Sequence, residues 1–354
     1  MQKNSIQEFR KNFYYYYHKN VMPTLLQFEK ERKQWILIYR FLSFFILSAA
    51  IISGIYLYTL LGRLSLGLIV LLMALIIIYF SRKTFKKKFE SKVKPLIMES
   101  LMKAFGNFHW TEKPLIKSSE LFNAKIFGKF TKRNDDDNFY GKYNDVDIVI
   151  NEMALYEYKD ISAKYRNIYK EGEELFNPEY YVKSEMRKKY VQTFYGIVLK
   201  VPMNKNFTGE TFVGSEELIN PEKHDLEQVQ LEDVEFNKIF SSFSTNQVEA
   251  RYILTASFME RLKEISKEFK TKSIFAYQTV SAAFLNNTAY IAISSAGRDM
   301  FSICDFSKPL TNAEQYQKLF NDIISVISII DTLKLDTKTN LWYDKVRKAR
   351  LYAG

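Results

Sequence analysis

The sequence contains few of the residues that most often carry metal-dependent or nucleophilic chemistry. Its 354 residues include one cysteine, Cys304, and three widely spaced histidines, His18, His109 and His224. A single cysteine excludes an intramolecular disulfide, which fits a reducing compartment. Zinc sites need several imidazole or thiolate ligands close together, and scattered single residues give no sign of one. We therefore expect neither a metal centre nor a cofactor.

Glycine is also scarce, with twelve residues, and the glycine-dependent motifs are missing. The sequence contains no G-x-x-x-x-G-K-[ST] or G-x-G-x-x-G phosphate-binding loop and no G-x-S-x-G nucleophile elbow. Residues 135–137 are all aspartate, but their spacing differs from that of calcium-binding loops. We predict that they lie in a solvated loop spanning residues 129–138. Glu152, Glu157 and Asp160 add carboxylates, but an acid–base pair is defined by geometry rather than by spacing.

Charge is missing from one long part of the chain. Residues 41–61 and residues 64–80 carry no charged side chain, and only Gly62 and Arg63 separate them. Each run is long enough for a helix across a hydrocarbon core of about 30 Å. A two-residue connection makes the helices antiparallel. We therefore predict a transmembrane hairpin over residues 35–81, the alternative being a buried helical hairpin in a soluble domain.

Basic residues flank the predicted hairpin on one side of the membrane. Several lie before the first span and after the second, whereas only Arg63 lies between the spans. By the positive-inside rule, both termini should face the cytoplasm. The residues expected to contact lipid headgroups are Lys30, Arg32, Lys33, Arg40, Arg82, Lys83, Lys86, Lys87 and Lys88.

The net charge of +11 is divided unevenly along the chain. Residues 1–133 carry a charge of +16, and the remaining residues carry −5. Anionic lipid attracts the basic part, and the acidic part would repel a phosphate backbone, so we do not expect nucleic-acid binding. Within the first span, Ala50 and Gly54 are four residues apart. Such a face allows close helix packing, either within the hairpin or in a homo-oligomer.

The rest of the sequence indicates an α+β fold with a mainly antiparallel sheet and packed helices. Alternating apolar residues predict strands at 145–158, 195–203 and 211–213, and Asn286-Asn287 predicts a hairpin turn. Helices are predicted from capping boxes at Ser257 and Thr311. Strands and helices do not alternate regularly, which argues against a parallel sheet.

The predicted organisation has five parts. Pro95 should break the helix that follows the second span, and Asn20 and Pro23 should interrupt the N-terminal helix. The parts are an N-terminal amphipathic helical segment (1–34), the transmembrane hairpin (35–81, with spans at about 41–61 and 64–80), a basic helical stalk (82–109), a cytoplasmic α+β domain (110–335) and a C-terminal tail (336–354).

The most distinctive local pattern lies in residues 246–255, Asn-Gln-Val-Glu-Ala-Arg-Tyr-Ile-Leu-Thr. As a strand, this segment would place Gln247, Glu249 and Arg251 in a row on one face. The row has two interpretations. It is either a solvent face with an ion pair between Glu249 and Arg251, which contributes little to stability, or a polar surface that binds a partner or ligand.

This segment, with residues 259–262, resembles the hallmark of a bacterial membrane-protein family known as domain of unknown function 3137. Other similar pieces are residues 194–196, residues 207–211 (Phe-Thr-Gly-Glu-Thr) and residues 231–236. Asn246 stands where the family often has an acidic residue. The resemblance implies a two-span anchor, a cytoplasmic domain and a location in the bacterial inner membrane as a multi-pass protein. It implies no activity.

These observations favour a non-enzymatic inner-membrane protein. Its cytoplasmic domain would act as a protein-binding, regulatory or scaffold module, with membrane lipids and a protein as partners. The alternative is a membrane-tethered enzyme that acts on lipid or envelope precursors through carboxylates and Arg251. A transport component is a third hypothesis, although two uncharged spans form no pathway unless many copies assemble.

Overall fold

The computed structural model describes residues 3–62, 64–143, 146–160, 188–203, 207–269, 280–295, 299–303 and 308–333. Contacts within the chain divide it into two units. The helical unit consists of Met1–Gly106 and Phe301–Ser325, and the sheet unit consists of Asn107–Met300 and Val326–Gly354. Residues 301–325 therefore belong to the same unit as the N-terminal helices, whereas we predicted from the sequence that they belong to a domain of residues 110–335.

The helical unit begins with helix α1 (Lys3–Tyr16), a π-helical turn (Tyr17–Val21) and helix α2 (Met22–Leu61). The predicted interruption at Asn20 and Pro23 is therefore a wider turn of helix rather than a break. Pro23 has no N–H to donate to a carbonyl of the preceding turn, and the wider π-helical turn lies directly before it.

Helix α3 (Leu64–Met102) runs through Pro95 without a break, so the predicted restart of the helix after this residue is wrong. A proline inside a helix removes one hydrogen bond. One face of the helix around Pro95 is completely buried and includes Val93, Ile97 and Met98, whereas Leu96 on the other face is 54% exposed. Burial of this apolar face stabilises the helix across the proline. A short 3₁₀ turn (Lys103–Phe105) follows.

Helices α2 and α3 form the predicted hairpin. Gly62 ends α2 in the left-handed conformation, with φ 62°, and its N–H donates to the carbonyl of Tyr58 at 2.8 Å. Gly54 and Gly67 face each other so closely that a Cβ on Gly54 would lie 3.3 Å from the Cα of Gly67. The face of α2 that carries Ala50 and Gly54 therefore packs against α3 within the hairpin, which is one of the two packing arrangements predicted for it.

The most apolar stretches of both helices lie on the surface. By length and composition, two helical stretches, Ile6–Leu61 and Leu64–Phe105, could cross a membrane, and only 6% of the most apolar stretch of each is buried. Large apolar side chains such as Phe44, Ile52 and Tyr79 are about two-thirds exposed. This exposure contradicts the alternative of a buried hairpin in a soluble core.

Aromatic side chains form the core of the helical unit beside the hairpin. The rings of Phe13 and Phe105 both pack on Phe320, with centroids 5.1 and 5.7 Å away. The buried Tyr17 of the π-helical turn packs on Tyr316 at 4.8 Å. These contacts bind residues 301–325 to the first helices.

The described residues of the sheet unit form nine strands in one antiparallel sheet, which confirms the predicted α+β class. The spatial order is β1-β2-β3-β4-β9-β8-β5-β7-β6. The strands are β1 (His109–Thr111), β2 (Lys132–Tyr143), β3 (Val146–Asp160), β4 (Lys188–Pro202), β5 (Thr211–Gly214), β6 (Glu227–Gln228), β7 (Ser241–Ser244), β8 (Val280–Leu285) and β9 (Thr288–Ser294).

Most predicted strands are present, including the hairpin at Asn286-Asn287, whose φ angles are 50° and 55°. The predicted loop at residues 129–138 is wrong, because residues 132–138 belong to β2 and pair with β3. Residues 132–138 are all polar, so the stretch lacks the alternating pattern of a half-buried strand, and the sequence alone does not show that the neighbouring strand pairs with it.

Six helices complete the described fold: α4 (Ser118–Asn123), α5 (Glu216–Ile219), α6 (Val234–Ile239), α7 (Gln247–Ile253), α8 (Ala256–Glu268) and α9 (Ala313–Leu333). Helices α8 and α9 were predicted, but their caps differ. The side chain of Thr255 accepts from the N–H of Phe258, and that of Asn312 accepts from the N–H of Glu314. The predicted tail, residues 336–354, lies outside the described residues.

Both faces of the central strands are buried. Along β3, Met153 and Leu155 join a core that includes Ile116 and Leu121 near α4, and the intervening residues are also buried. Phe284 of β8 packs on Phe258 of α8 with ring centroids 5.6 Å apart. Polar side chains between buried strands therefore need partners inside the protein.

Candidate functional site

The hallmark segment is a helix rather than the predicted strand. Asn246 precedes α7, and its side-chain oxygen accepts from the N–H groups of Val248 and Glu249 at 3.1 and 3.2 Å. Val248 is 77% exposed whereas Ala250 is fully buried, although residues two apart would share a face in the predicted strand. Asn246 followed three residues later by Glu249 is a helix-start signal that the alternating pattern obscured.

Glu249 holds the turn at residues 208–209. Its Oε2 accepts from the N–H of Gly209 at 2.7 Å and from that of Thr208 at 3.0 Å. Its Oε1 accepts from the hydroxyl of Thr208 at 3.2 Å. A carboxylate that accepts three hydrogen bonds is well satisfied. Glu249 therefore connects two of the segments that carry the family resemblance.

Position 209 requires glycine because the backbone there lies close to Asn246 and Glu249. A Cβ at this position would lie 2.7 Å from the Cβ of Asn246 and 3.0 Å from the Oε2 of Glu249. The neighbouring backbone continues the connection, since the N–H of Thr245 donates to the carbonyl of Glu210 at 3.0 Å. The hydroxyl of Ser244 donates to the same carbonyl at 2.7 Å.

Gln247, Glu249 and Arg251 do not form one polar row. The side-chain amide of Gln247 donates to the carbonyl of Gln228 at 3.1 Å. Arg251 is exposed, and its guanidinium contacts the carbonyl of Gln247 at 3.5 Å. Among the described residues, Glu249 and Arg251 form no ion pair with each other. The structure thus gives Glu249 a structural contact and leaves Arg251 and Val248 on the surface.

A second polar site, which the sequence did not predict, lies between strands β2 and β3. One carboxylate oxygen from each of Asp137, Glu152 and Asp299 lies within 4.8 Å of the other two. Asp137 and Glu152 are fully buried, and Asp299 is half-buried. This set of three residues is called the acidic cluster below. Asp137 belongs to the aspartate run that was expected in a solvated loop.

A β-bulge brings two of these carboxylates together. Asp135 pairs with Met153 and Asn138 pairs with Asn151, so residues 136 and 137 of β2 both lie opposite Glu152 of β3. A bulge inserts one extra residue and turns a side chain that would otherwise alternate to the other face. The indole N–H of Trp110 donates to Oδ1 of Asp137 at 2.7 Å and fixes its position.

The backbone after β9 brings the third carboxylate to the cluster. The N–H of Met300 donates to Oε1 of Glu152 at 2.8 Å, which places the preceding residue, Asp299, beside Glu152. Oε2 of Glu152 is buried and has no hydrogen-bond partner among the described residues. Burial, followed by repulsion from Asp137 and Asp299, raises the pKa of Glu152 to about 9.

The basic residues that flank the hairpin are mostly exposed, as lipid contact requires. Lys30, Lys33, Arg40, Arg82, Lys83, Lys87 and Lys88 are exposed, and Lys86 is half-buried. Arg32 differs, because it is 6% exposed and forms an ion pair of 2.7 Å with Glu29. Glu29 also accepts from the N–H of Leu310 at 3.0 Å. Arg32 therefore packs inside the helical unit and is removed from the predicted headgroup contacts.

Comparison with known proteins supports the family resemblance. Residues 192–335 match a family described as "Protein of unknown function (DUF3137)". None of the curated proteins compared with the chain matches it. The crystal structure of the mycobacterial trehalose monomycolate transport factor A, TtfA, is 10% identical, covers 66% of this chain and 91% of its own, and has a TM-score of 0.30. A similarity this low supports no functional argument. The resemblance to domain of unknown function 3137 is thus confirmed over residues 192–335.

Proposed function

We propose that the chain is a multi-pass protein of the bacterial inner membrane whose α2–α3 hairpin anchors a cytoplasmic domain. The exposure of apolar side chains along both helices carries this proposal, because water would not tolerate so large an apolar surface. The basic residues at the open end of the hairpin support an orientation with both termini in the cytoplasm. Exposed lysines and arginines at that end would contact anionic lipid headgroups.

The domain outside the membrane is proposed to be a non-enzymatic module that binds a protein partner. The exposed surface of α7 is the proposed contact, since it presents Val248 and Arg251 beside Gln247. Arginine is enriched at protein interfaces, and the exposed valine beside it offers apolar area that a partner can bury. The enzyme alternative required Glu249 and Arg251 to share a site, and the contacts of Glu249 with residues 208–209 do not favour it.

Two measurements on the full-length protein in its native membrane test this function. Alkaline extraction of membranes should leave the chain in the pellet, and only detergent should release it. A photo-crosslinking amino acid at Val248 should then capture one reproducible protein. The same probe at Phe122, which is 52% exposed on α4, is the control. Release by alkali, or equal capture from both positions, would contradict the proposal.

A further inference from the structure

The acidic cluster combines three features that a buried group of side chains rarely shows together. Its members come from three separate parts of the chain, β2, β3 and the segment after β9. Two of them are fully buried. The same two are each held by a hydrogen bond, Asp137 by the Trp110 indole N–H and Glu152 by the Met300 N–H. Such positioning indicates a rigid arrangement rather than a chance approach of surface acids.

Glu152 has a buried oxygen without a partner. Its side chain is 0% exposed, and its Oε2 accepts no hydrogen bond from any described residue. Nor does Glu152 form an ion pair within the part of the chain that the structure describes. A buried carboxylate oxygen without a partner is strongly unfavourable. Two neighbouring carboxylates within 4.8 Å increase the penalty by repulsion.

Either a cation or a shared proton would remove this penalty. We propose that the acidic cluster of Asp137, Glu152 and Asp299 binds one hard divalent cation, with Ca²⁺ as the best fit. Carboxylate oxygens without histidine or cysteine are the ligands that such cations take. Water and backbone carbonyls supply the remaining positions in sites of this kind. The cation would also connect β2, β3 and the segment after β9.

The three oxygens are close enough for one cation to contact all of them. Ca²⁺ binds oxygen at about 2.3–2.6 Å, so two of its ligands can be at most roughly 4.6–5.2 Å apart. The three carboxylate oxygens lie within 4.8 Å of one another. Three protein carboxylates favour Ca²⁺ over Mg²⁺, because Mg²⁺ is usually held by only one or two carboxylates and keeps several of its waters.

Trp110 provides a built-in probe for this site. Its indole nitrogen is 2.7 Å from Oδ1 of Asp137, close enough to transfer excitation to a lanthanide held by that carboxylate. Tb³⁺ replaces Ca²⁺ in oxygen sites because both are hard cations of similar size. The full-length protein, purified in an uncharged detergent and stripped with chelator, should give sensitised Tb³⁺ emission that saturates at one ion per chain. Added Ca²⁺ should displace the Tb³⁺.

Two substitutions on β3 separate this site from nonspecific binding. Glu152→Gln removes the central ligand charge with little change of shape and should weaken Tb³⁺ binding at least tenfold. Asp147→Asn removes a carboxylate that is exposed on the same strand and should leave binding unchanged. Asp137→Asn is the second test if Glu152→Gln does not fold. Ca²⁺ should also raise the Tm of the wild type, because it binds the folded state, and Trp110→Phe should lower the Tb³⁺ emission but keep this rise.

Two results would overturn the proposed cation site. If calorimetric titration of the wild-type protein with Ca²⁺, Mn²⁺ and Mg²⁺ shows no binding, the cluster holds a shared proton and the proposal is overturned. Equal Tb³⁺ affinity in the wild type and in Glu152→Gln would also overturn it. Neither result depends on membrane orientation or on a protein partner, so the function proposed above would stand or fall separately.

Discussion

The contact between Glu249 and residues 208–209 gives a quantitative prediction. Glu249→Gln keeps the size of the side chain but replaces a charged acceptor with a neutral one. A hydrogen bond to a charged group contributes about 1.5–3 kcal/mol, and a neutral one about 0.5–1.5 kcal/mol. Oε2 accepts two backbone N–H groups, at 2.7 and 3.0 Å. The substitution should therefore lower the free energy of opening this turn by about 2 kcal/mol.

Hydrogen exchange measured by mass spectrometry tests this value in the full-length protein in detergent or nanodiscs. A loss of about 2 kcal/mol corresponds to exchange that is about 30-fold faster. The acceleration should be confined to peptides that contain the amides of Thr208 and Gly209. Peptides from β5 should exchange at the wild-type rate, because the sheet hydrogen bonds are unchanged.

A matched control and a second substitution sharpen the test. Glu264 is exposed on α8, and Glu264→Gln should change exchange near residue 208 by less than a factor of two. Gly209→Ala should accelerate exchange in the same peptide, since its Cβ would collide with Asn246. Unchanged exchange at 208–209 in Glu249→Gln, or a uniform increase across the sheet unit, would refute the assigned role of Glu249.

Two further predictions concern the hairpin and the sheet. Gly54→Leu should destabilise the α2–α3 hairpin by about 1–3 kcal/mol through overpacking against Gly67. Ala49→Leu, at an exposed position of the same helix, should not destabilise it. Equal Tm values for the two variants in detergent would contradict this packing. Burial of Glu120 opposes its ionisation, but hydrogen bonds from Lys200, the Lys117 N–H and the Tyr290 hydroxyl outweigh burial and lower its pKa below 4.5. The ionised carboxylate therefore contributes stability above the ordinary glutamate pKa of 4.5, and this contribution is lost as the pH falls through the lowered pKa. Glu120→Gln should be destabilising at pH 7, and the loss of stability should shrink as the pH is lowered below 4.5; a loss that does not change with pH, measured by urea unfolding, would refute this role.

The hairpin and the fold class were predictable because both depend on local properties. The length of the uncharged runs and the basic flanks are read directly from the sequence. The Asn286-Asn287 turn was predictable for the same reason, since asparagine tolerates positive φ. These features need no knowledge of which distant residues meet.

The candidate sites were less predictable because they depend on tertiary contacts, or on whether a segment follows the two-residue period of a strand or the roughly 3.6-residue period of a helix. Residues 246–255 alternate between polar and apolar side chains as a strand would. Asn246 followed three residues later by Glu249 is also a helix-start signal, and the structure has a helix here. The acidic cluster joins Asp137, Glu152 and Asp299, and only the strand pairing and the bulge show that they meet. The helix-breaking tendency of Pro95 is outweighed by burial of one apolar face of the helix around it.

The Glu249 contact also changes the meaning of the family resemblance. The similar segments at residues 207–211 and 246–255 hold each other in place through Glu249 and Gly209. In this chain, at least part of the shared pattern therefore specifies the fold rather than a binding surface. The exposed residues of α7 keep the proposed binding role.

The orientation of the hairpin is the central claim and can be measured in whole cells. Single cysteines are introduced at Arg63 and at Lys113 in a Cys304→Ser background, and a membrane-impermeant maleimide is added. Lys113 is exposed in the sheet unit, and Arg63 lies in the sequence between the two uncharged apolar runs. Labelling of Arg63→Cys in intact cells, with labelling of Lys113→Cys only after lysis, is the predicted result. Labelling of Lys113→Cys in intact cells would contradict it.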